Sequence, residues 1–349
     1  MTLDDIRATD PGGMYDLLKA FPEQIREAVA IGNAARLSIK SRGVRNIVLS
    51  GLGGSAIGGD LLRSYLAAGL GVPFLVNRTY TLPAFVGKES LVLISSYSGN
   101  TEETNTAHRE AIRRKAKVLC ISSGGKTQAI ARKTRADLIT VPGGLPPRAA
   151  LAYSFFPLLL ALSRAGFTGD HSRAIRETIA LLEKRSALYA DVQAGGNRAL
   201  ELARMLRARV GIIYSGAERF DSVNLRWRGQ IAENAKSLAF GHVLPEMNHN
   251  ELVGWKVLRE PMREMQVFIL RDRDDHKRVA KRMAITEKVI AQYTQHVQEV
   301  WSEGSSLLAR IFSLVYLGDW MSFYLAMLHG VDPKPVEVID QLKQEMASA

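Results

Sequence analysis

A single cysteine, Cys120, leaves this 349-residue chain with no internal disulfide. Its setting in the apolar run Val118-Leu119-Cys120-Ile121 reads as a buried strand rather than a redox centre. The start, Met1-Thr2-Leu3-Asp4-Asp5, has neither the basic nor the apolar segment of a secretory signal, so a cytoplasmic setting is expected. Histidines, cysteines and carboxylates nowhere adopt metal-ligand spacing, and there is no Gly-x-Ser-x-Gly elbow. That argues against metal-assisted and covalent chemistry, with no metal and no cofactor expected. Long apolar runs are also scarce: the one that suggests a bilayer, Leu307 to Leu328, carries Arg310 and Asp319 and is expected to be a buried core or interface helix. No membrane partner follows from it. Lysine and arginine exceed acidic residues by 46 to 35, giving a net charge of +11. These basic residues are scattered over helical segments (Arg113-Arg114-Lys115, Arg132-Lys133, Arg271 to Lys281) without an aromatic-interleaved module. Nucleic acid is therefore not expected, although a positive field favours anionic substrates.

What is present is ordinary globular composition, 46% hydrophobic and 23% charged, on a chain long enough for two cores. Residues 1–40 have helical spacing. Strand-like runs then alternate with helices: Asn46 to Ser50, Pro73 to Val76, Leu91 to Ser95, Lys117 to Ile121 and Asp137 to Val141. Near-continuous apolar strands of this kind predict an α/β fold with a doubly wound parallel sheet over 41–150. After Pro146-Pro147-Arg148 the pattern becomes long helices, a linker over 151–207 with a turn near Gly195-Gly196-Asn197. A second α/β unit is expected over 208–349, with strands Val210 to Gly216 and Gln266 to Leu270, helical runs around Lys277 to Val300 and Ser305 to Leu328, and a C-terminal helix ending at Met346.

Two loops carry the signs of anion binding. Gly51-Leu52-Gly53-Gly54-Ser55-Ala56 follows the first strand and opens a helix, where backbone amides attract phosphate. It also satisfies a dinucleotide pattern, Gly51-x-Gly53-x-x-Ala56, and Arg78 after the second strand could meet a 2′-phosphate, which leaves an NADP-dependent oxidoreductase as one reading. The third strand runs into Ser95-Ser96-Tyr97-Ser98-Gly99-Asn100-Thr101, a second hydroxyl-rich turn. Two adjacent cradles exceed what a dinucleotide needs, and hydroxyls of Ser55, Ser96, Ser98 and Thr101 can converge on one small phosphate. Asn100 or Thr101 can equally cap a helix, with Glu103 completing a capping box.

Aldose-ketose isomerisation needs a carboxylate base, a ring-opening group and positive charge beside the enediolate. Glu233 sits on a helix whose apolar positions include Leu225, Ile231 and Leu238; from pattern alone it is either a base or a surface residue paired with Lys236. His249 lies in the polar run Pro245 to Glu251, and His242 is the other histidine near Glu233. Arg148 follows the fifth strand, at the same sheet edge as both loops.

Gly53-Gly54-Ser55, Ser96 to Thr101, Glu233-Asn234-Ala235-Lys236 and Asn248-His249-Asn250-Glu251 together resemble the bifunctional phosphoglucose/phosphomannose isomerases of the sugar isomerase (SIS) superfamily, over nearly the whole chain. The resemblance implies two tandem flavodoxin-like SIS domains and interconversion of glucose 6-phosphate or mannose 6-phosphate with fructose 6-phosphate through a cis-enediol, a reaction of glycolysis and gluconeogenesis. It also implies that Gly54, Ser55, Ser96, Ser98 and Thr101 bind the substrate phosphate, that Arg148 faces the enediolate and that Glu233 moves the proton between C2 and C1. By the same resemblance His249 acts in ring opening from the partner subunit of a homodimer, and Lys343 is a further acid-base or ring-opening group. An SIS isomerase of another sugar phosphate, or a non-catalytic sugar-phosphate sensor, shares the phosphate loops. A sensor also needs an output domain, for which the segment before the first strand holds no helix-turn-helix pattern.

Overall fold

The computed structural model describes residues 1–217 and 219–348. Helices α1 (Leu3–Thr9), α2 (Met14–Lys19) and α3 (Phe21–Ala34) precede the first sheet. That unit contains β1 (Asn46–Ser50), α4 (Gly53–Leu66), β2 (Phe74–Asn77), β3 (Ser90–Ser95), α5 (Glu102–Arg113), β4 (Lys117–Ser122), α6 (Gly125–Thr134) and β5 (Asp137–Thr140). Helices α7 (Leu151–Arg164), α8 (Ser172–Ala190) and α9 (Arg198–Leu206) lead to the second unit. It comprises β6 (Val210–Gly216), α10 (Asp221–Ala235), β7 (Ala239–Leu244), α11 (Arg259–Arg263), β8 (Met265–Arg271), α12 (Lys277–Ile290) and β9 (Val297–Trp301), followed by α13 (Leu307–His329) and α14 (Glu337–Ser348).

The first sheet is parallel, in the order β2-β1-β3-β4-β5, and the second is a four-stranded parallel sheet in the order β7-β6-β8-β9. β1 and β3 are central and buried nearly throughout, which explains their unbroken apolar runs.

The edge strands of the second sheet depart from expectation. The helical run ending at Val300 instead stops at Ile290, and Val297–Trp301 forms β9. The break is made by Thr294, whose hydroxyl donates to the Met265 carbonyl and accepts from the His296 amide (3.0 and 3.1 Å). Leu238 is not on the buried face of a helix either. Lys236 ends α10 in the left-handed conformation (φ 53°), and Leu238 lies beyond it, 69% exposed, on the approach to β7.

Helix α13 is buried on every side from Leu308 to Met327, so its apolar stretch is accounted for by packing inside the protein. Gly318 lets the Trp227 indole lie directly on its backbone; a Cβ there would sit 2.3 Å from Nε1, which instead donates to the Leu314 carbonyl at 2.8 Å. The two charged residues that interrupt the helix, Arg310 and Asp319, are both paired: Arg310 with Asp272 and Asp274 (2.8 and 2.5 Å), and Asp319 with Arg226. One core cluster runs from Leu49 and Leu93 of the first sheet through Phe156 and Phe312 to Trp227 and Phe268 of the second unit.

Candidate functional site

The strand order reverses at β1 and β3, so the loops leaving their carboxyl ends diverge and open a crevice, the usual ligand position in such sheets. The first loop enters α4 at Gly53, and the preceding residue, Leu52, is extended and has no side chain to cap the helix. The Ser55 amide donates back to the Leu52 carbonyl at 3.1 Å, which leaves the amides of Gly53 and Gly54 for a ligand. The second loop is tied to the first: the Tyr97 amide donates to Ser55 Oγ at 3.1 Å. The Tyr97 hydroxyl accepts from the Leu145 amide at 3.2 Å, which adds the segment after β5. Ser55 and Ser96 are buried, whereas Ser98 is exposed and accepts from the Asn100 amide at 3.3 Å. Thr101 makes no side-chain cap of α5, its hydroxyl accepting from Ser96 Oγ at 3.2 Å, whereas Asn100 Oδ1 accepts from the Lys126 amide in the first turn of α6 at 3.2 Å.

A cavity of about 180 Å³ separates the start of α4 from α10, lined by Gly53, Gly54, Ile57, Arg78, Arg148, Leu225, Arg226, Gly229, Gln230 and Glu233. Gly54 is packed against the turn that carries Arg148, since a Cβ there would lie 2.4 Å from the Pro147 carbonyl oxygen. That contact brings the candidate phosphate loop and the candidate enediolate-facing guanidinium to one place. Arg78 forms an ion pair with the buried Asp60 carboxylate, so it is already neutralised where a 2′-phosphate would need it free. Burial raises the Asp60 pKa, which Arg78 partly offsets.

Arg148 is only 4% exposed. Its Nε donates to Asn234 Oδ1 at 2.7 Å, its Nη2 to the carbonyls of Pro333 and Lys334 (2.7 and 2.9 Å), and its Nη1 meets Glu233 Oε2 at 3.4 Å. Burial lowers the Arg148 pKa from the ordinary arginine value, and Glu233 opposes that shift. Glu233 therefore stands at the cavity wall beside a fixed cation. Lys236, its expected surface partner, ignores the carboxylate: Nζ donates to the backbone carbonyls of Glu233, Pro333 and Pro335 (2.6, 3.1 and 2.7 Å). Burial, followed by the proximity of Arg148, depresses the Lys236 pKa. Arg148 and Lys236 thus both grip the strap that leads into α14.

Of the residues singled out in the sequence, Gly54, Arg148 and Glu233 border the cavity, and Ser55, Ser96, Ser98 and Thr101 sit in the linked loops beside it. His249 and Lys343 are elsewhere in the chain. His249 is exposed on a 3-10 turn, Glu246–His249, beyond β7. Lys343 is exposed on α14, 3.3 Å from Asp340. Sequence reasoning missed Arg226, Gln230 and Asn234. Arg226 binds Asp319 through two hydrogen bonds (2.9 and 2.7 Å), Gln230 donates to the same carboxylate at 3.0 Å, and Asn234 donates to Ser322 Oγ at 3.0 Å. The i, i+4, i+8 spacing of these polar residues beside Glu233 was the available signal.

Residues 42–163 match the SIS domain model, and residues 196–346 match the bacterial phospho-glucose isomerase C-terminal SIS domain. The chain is 42% identical to the bifunctional phosphoglucose/phosphomannose isomerase of Caldicellulosiruptor bescii, covering 96% of this chain and 99% of the relative. It is 36% identical to the protein of the same name from Aquifex aeolicus, covering 86% and 90%. Among solved structures, a glucose-6-phosphate isomerase like protein from Thermus thermophilus superposes with a TM-score of 0.64 at 18% identity, covering 98% of this chain and 97% of that one, a likeness of fold.

Proposed function

The chain belongs to the bifunctional phosphoglucose/phosphomannose isomerase family, and from that premise we infer that it interconverts glucose 6-phosphate and mannose 6-phosphate with fructose 6-phosphate. The observation that carries the chemistry is the approach of Glu233 and Arg148, 3.4 Å apart, at the wall of a cavity that begins at the Gly53-Gly54 turn. With the phosphate held by the loop amides and by the hydroxyls of Ser55, Ser96, Ser98 and Thr101, the reacting end of the sugar extends toward α10. Glu233 removes the C2 proton of the open aldose, the electron pair moves into a C1–C2 double bond, and charge gathers on O1, where the Arg148 guanidinium stabilises it. A proton passes from O2 to O1, and return of the abstracted proton from the Glu233 carboxyl group to C1, as the C2–O2 bond becomes the carbonyl, completes the ketose. In the reverse direction, readdition at either face of C2 gives the two epimeric aldoses.

Ring opening is assigned to His249 of a partner protomer in a homodimer. Supporting this are the exposure of His249 away from its own cavity and the exposed apolar residues nearby in sequence, Phe240, Val253, Val257 and Leu258. Lys343 is assigned to proton transfer at the sugar oxygens, reached through the strap that Arg148 and Lys236 hold. A cytoplasmic location fits the single buried thiol and the charged substrate.

The test is to incubate the pure protein with fructose 6-phosphate in deuterium oxide. Aldose carrying deuterium at C2 should accumulate, and Glu233→Gln should lose several orders of magnitude in turnover while still binding a phosphate analogue. Absence of exchange in the parent protein would favour the sensor reading. The shared site is tested by mixing Glu233→Gln with His249→Ala under subunit exchange. Random dimers restore about a quarter of the parental sites if His249 crosses the interface, and none if it does not.

A further inference from the structure

We infer that Asn234, backed by Ser322, is a positioning residue that sets the direction of the Arg148 guanidinium and holds it off the base; this rests on the isomerase reading of Arg148 and Glu233. A guanidinium offers five N–H donors in one plane, so fixing two of its nitrogens fixes the third. Nε is fixed by Asn234 Oδ1, and both Nη2 donors are taken by the Pro333 and Lys334 carbonyls. Nη1 remains, at 3.4 Å from Glu233, with a donor to spare for a ligand oxygen.

The direction of the Asn234 amide is determined by its own neighbour. Ser322 Oγ donates to the Asp319 carbonyl at 2.8 Å, so toward Asn234 the hydroxyl can only accept. Asn234 must therefore present Nδ2 to Ser322 and Oδ1 to Arg148, and a flipped amide would set donor against donor at Arg148 and acceptor against acceptor at Ser322. Asn234 and Ser322 are fully buried, so water cannot take over either bond without the packing opening. A chain of hydrogen bonds thus runs from the backbone of α13 through Ser322 and Asn234 to Nε of Arg148. Without Asn234, the guanidinium gains freedom to swing toward Glu233 and close a tighter ion pair, which takes the base out of play.

Three variants test this: Asn234→Ala, Asn234→Asp, which keeps an acceptor for Nε, and Ser322→Ala. For Asn234→Ala, kcat on fructose 6-phosphate should fall on the order of 100-fold with KM within about twofold, because the phosphate anchor is untouched while a catalytic group is misdirected. Affinity for a phosphorylated hydroxamate that mimics the enediolate should fall in parallel, while affinity for hexitol 6-phosphate, which has no enediolate, should not change. Asn234→Asp should recover at least tenfold of the lost kcat, and Ser322→Ala should show a smaller loss of the same kind. A purely structural role would lower the melting temperature without separating the two ligands. Full kcat and hydroxamate affinity in Asn234→Ala would overturn the inference, and if that variant does not fold, the same result in Ser322→Ala would do so. Arg148→Met separates the two levels. If it is inactive while Asn234→Ala matches the parent, only the positioning role falls; if Arg148→Met is itself fully active, the reading of Arg148 falls first.

Discussion

Adding one methyl group at Gly54 tests the central geometry more sharply than removing a charged residue, because it displaces without deleting. The Cβ of Gly54→Ala would lie 2.4 Å from the Pro147 carbonyl oxygen, 2.7 Å from its carbon and 3.1 Å from the Arg148 amide nitrogen. All three are backbone atoms, so no rotamer change relieves the clash. An ordinary contact begins at 3.4 Å, so the start of α4 and the Arg148 turn must separate by about 1 Å. Overpacking of this kind costs about 1–3 kcal/mol of stability. A displacement of about 1 Å between the phosphate cradle and the groups acting at C1 and C2 costs on the order of 100-fold in kcat/KM. The assay is conversion of fructose 6-phosphate to glucose 6-phosphate, coupled to a dehydrogenase and read as NADPH, alongside calorimetric melting of the same preparation. A Gly54→Ala protein with parental kcat/KM and melting temperature would refute the claim that α4 and the Arg148 turn are held in contact for catalysis.

Ser98→Ala should raise KM for fructose 6-phosphate several-fold with kcat little changed, since an exposed loop hydroxyl contributes ground-state anchoring; an unchanged KM would remove Ser98 from the anchor. Truncation after Pro335 should leave the melting temperature unchanged, because Glu337 to Met346 are exposed, yet lower turnover through loss of Lys343; full turnover would exclude Lys343 from the mechanism. His108 is buried with Nε2 3.4 Å from the Cys120 sulfur, and burial holds its pKa at about 4 against an ordinary 6.5. Above pH 6.5 it is neutral whether folded or unfolded; as pH falls from 6.5 toward 4, the unfolded chain takes up a proton that the folded chain refuses, so stability is lost by up to about 3 kcal/mol. Urea midpoints at pH 7 and pH 4.5 should therefore differ less in His108→Gln than in the parent, and an identical difference would reject the assignment.

The central strands were legible because burial on both faces writes itself as unbroken apolar runs such as Leu91 to Ile94, and the two loops that follow β1 and β3 because glycine and serine cluster where strands end. The edge strands β7 and β9 were not. Their residues are mostly half exposed, and Val297 to Trp301 mixes Gln298 and Glu299 with apolar neighbours, a pattern that extends a preceding helix as readily as it forms a strand. Glu233 carried an ambiguity that only a residue distant in sequence could resolve: Arg148 lies 85 positions away, whereas the local candidate, Lys236, spends its amine on backbone carbonyls. Arg226, Gln230 and Asn234 stayed hidden for a related reason. Their partners Asp319 and Ser322 lie in α13, 88 to 93 positions away, and nothing in that largely apolar run names the helix its polar residues meet.

The burial of α13 on all sides makes it a shared mast between the two sheets rather than a strut belonging to either. A clamshell motion of one unit about the other would tear the aromatic contacts that Phe312 makes with Phe155 and Phe156. Sugar capture must therefore rely on movements at the rim, above all the C-terminal strap and helix, and a nick in the α7–α8 connection should not release two independently folded halves.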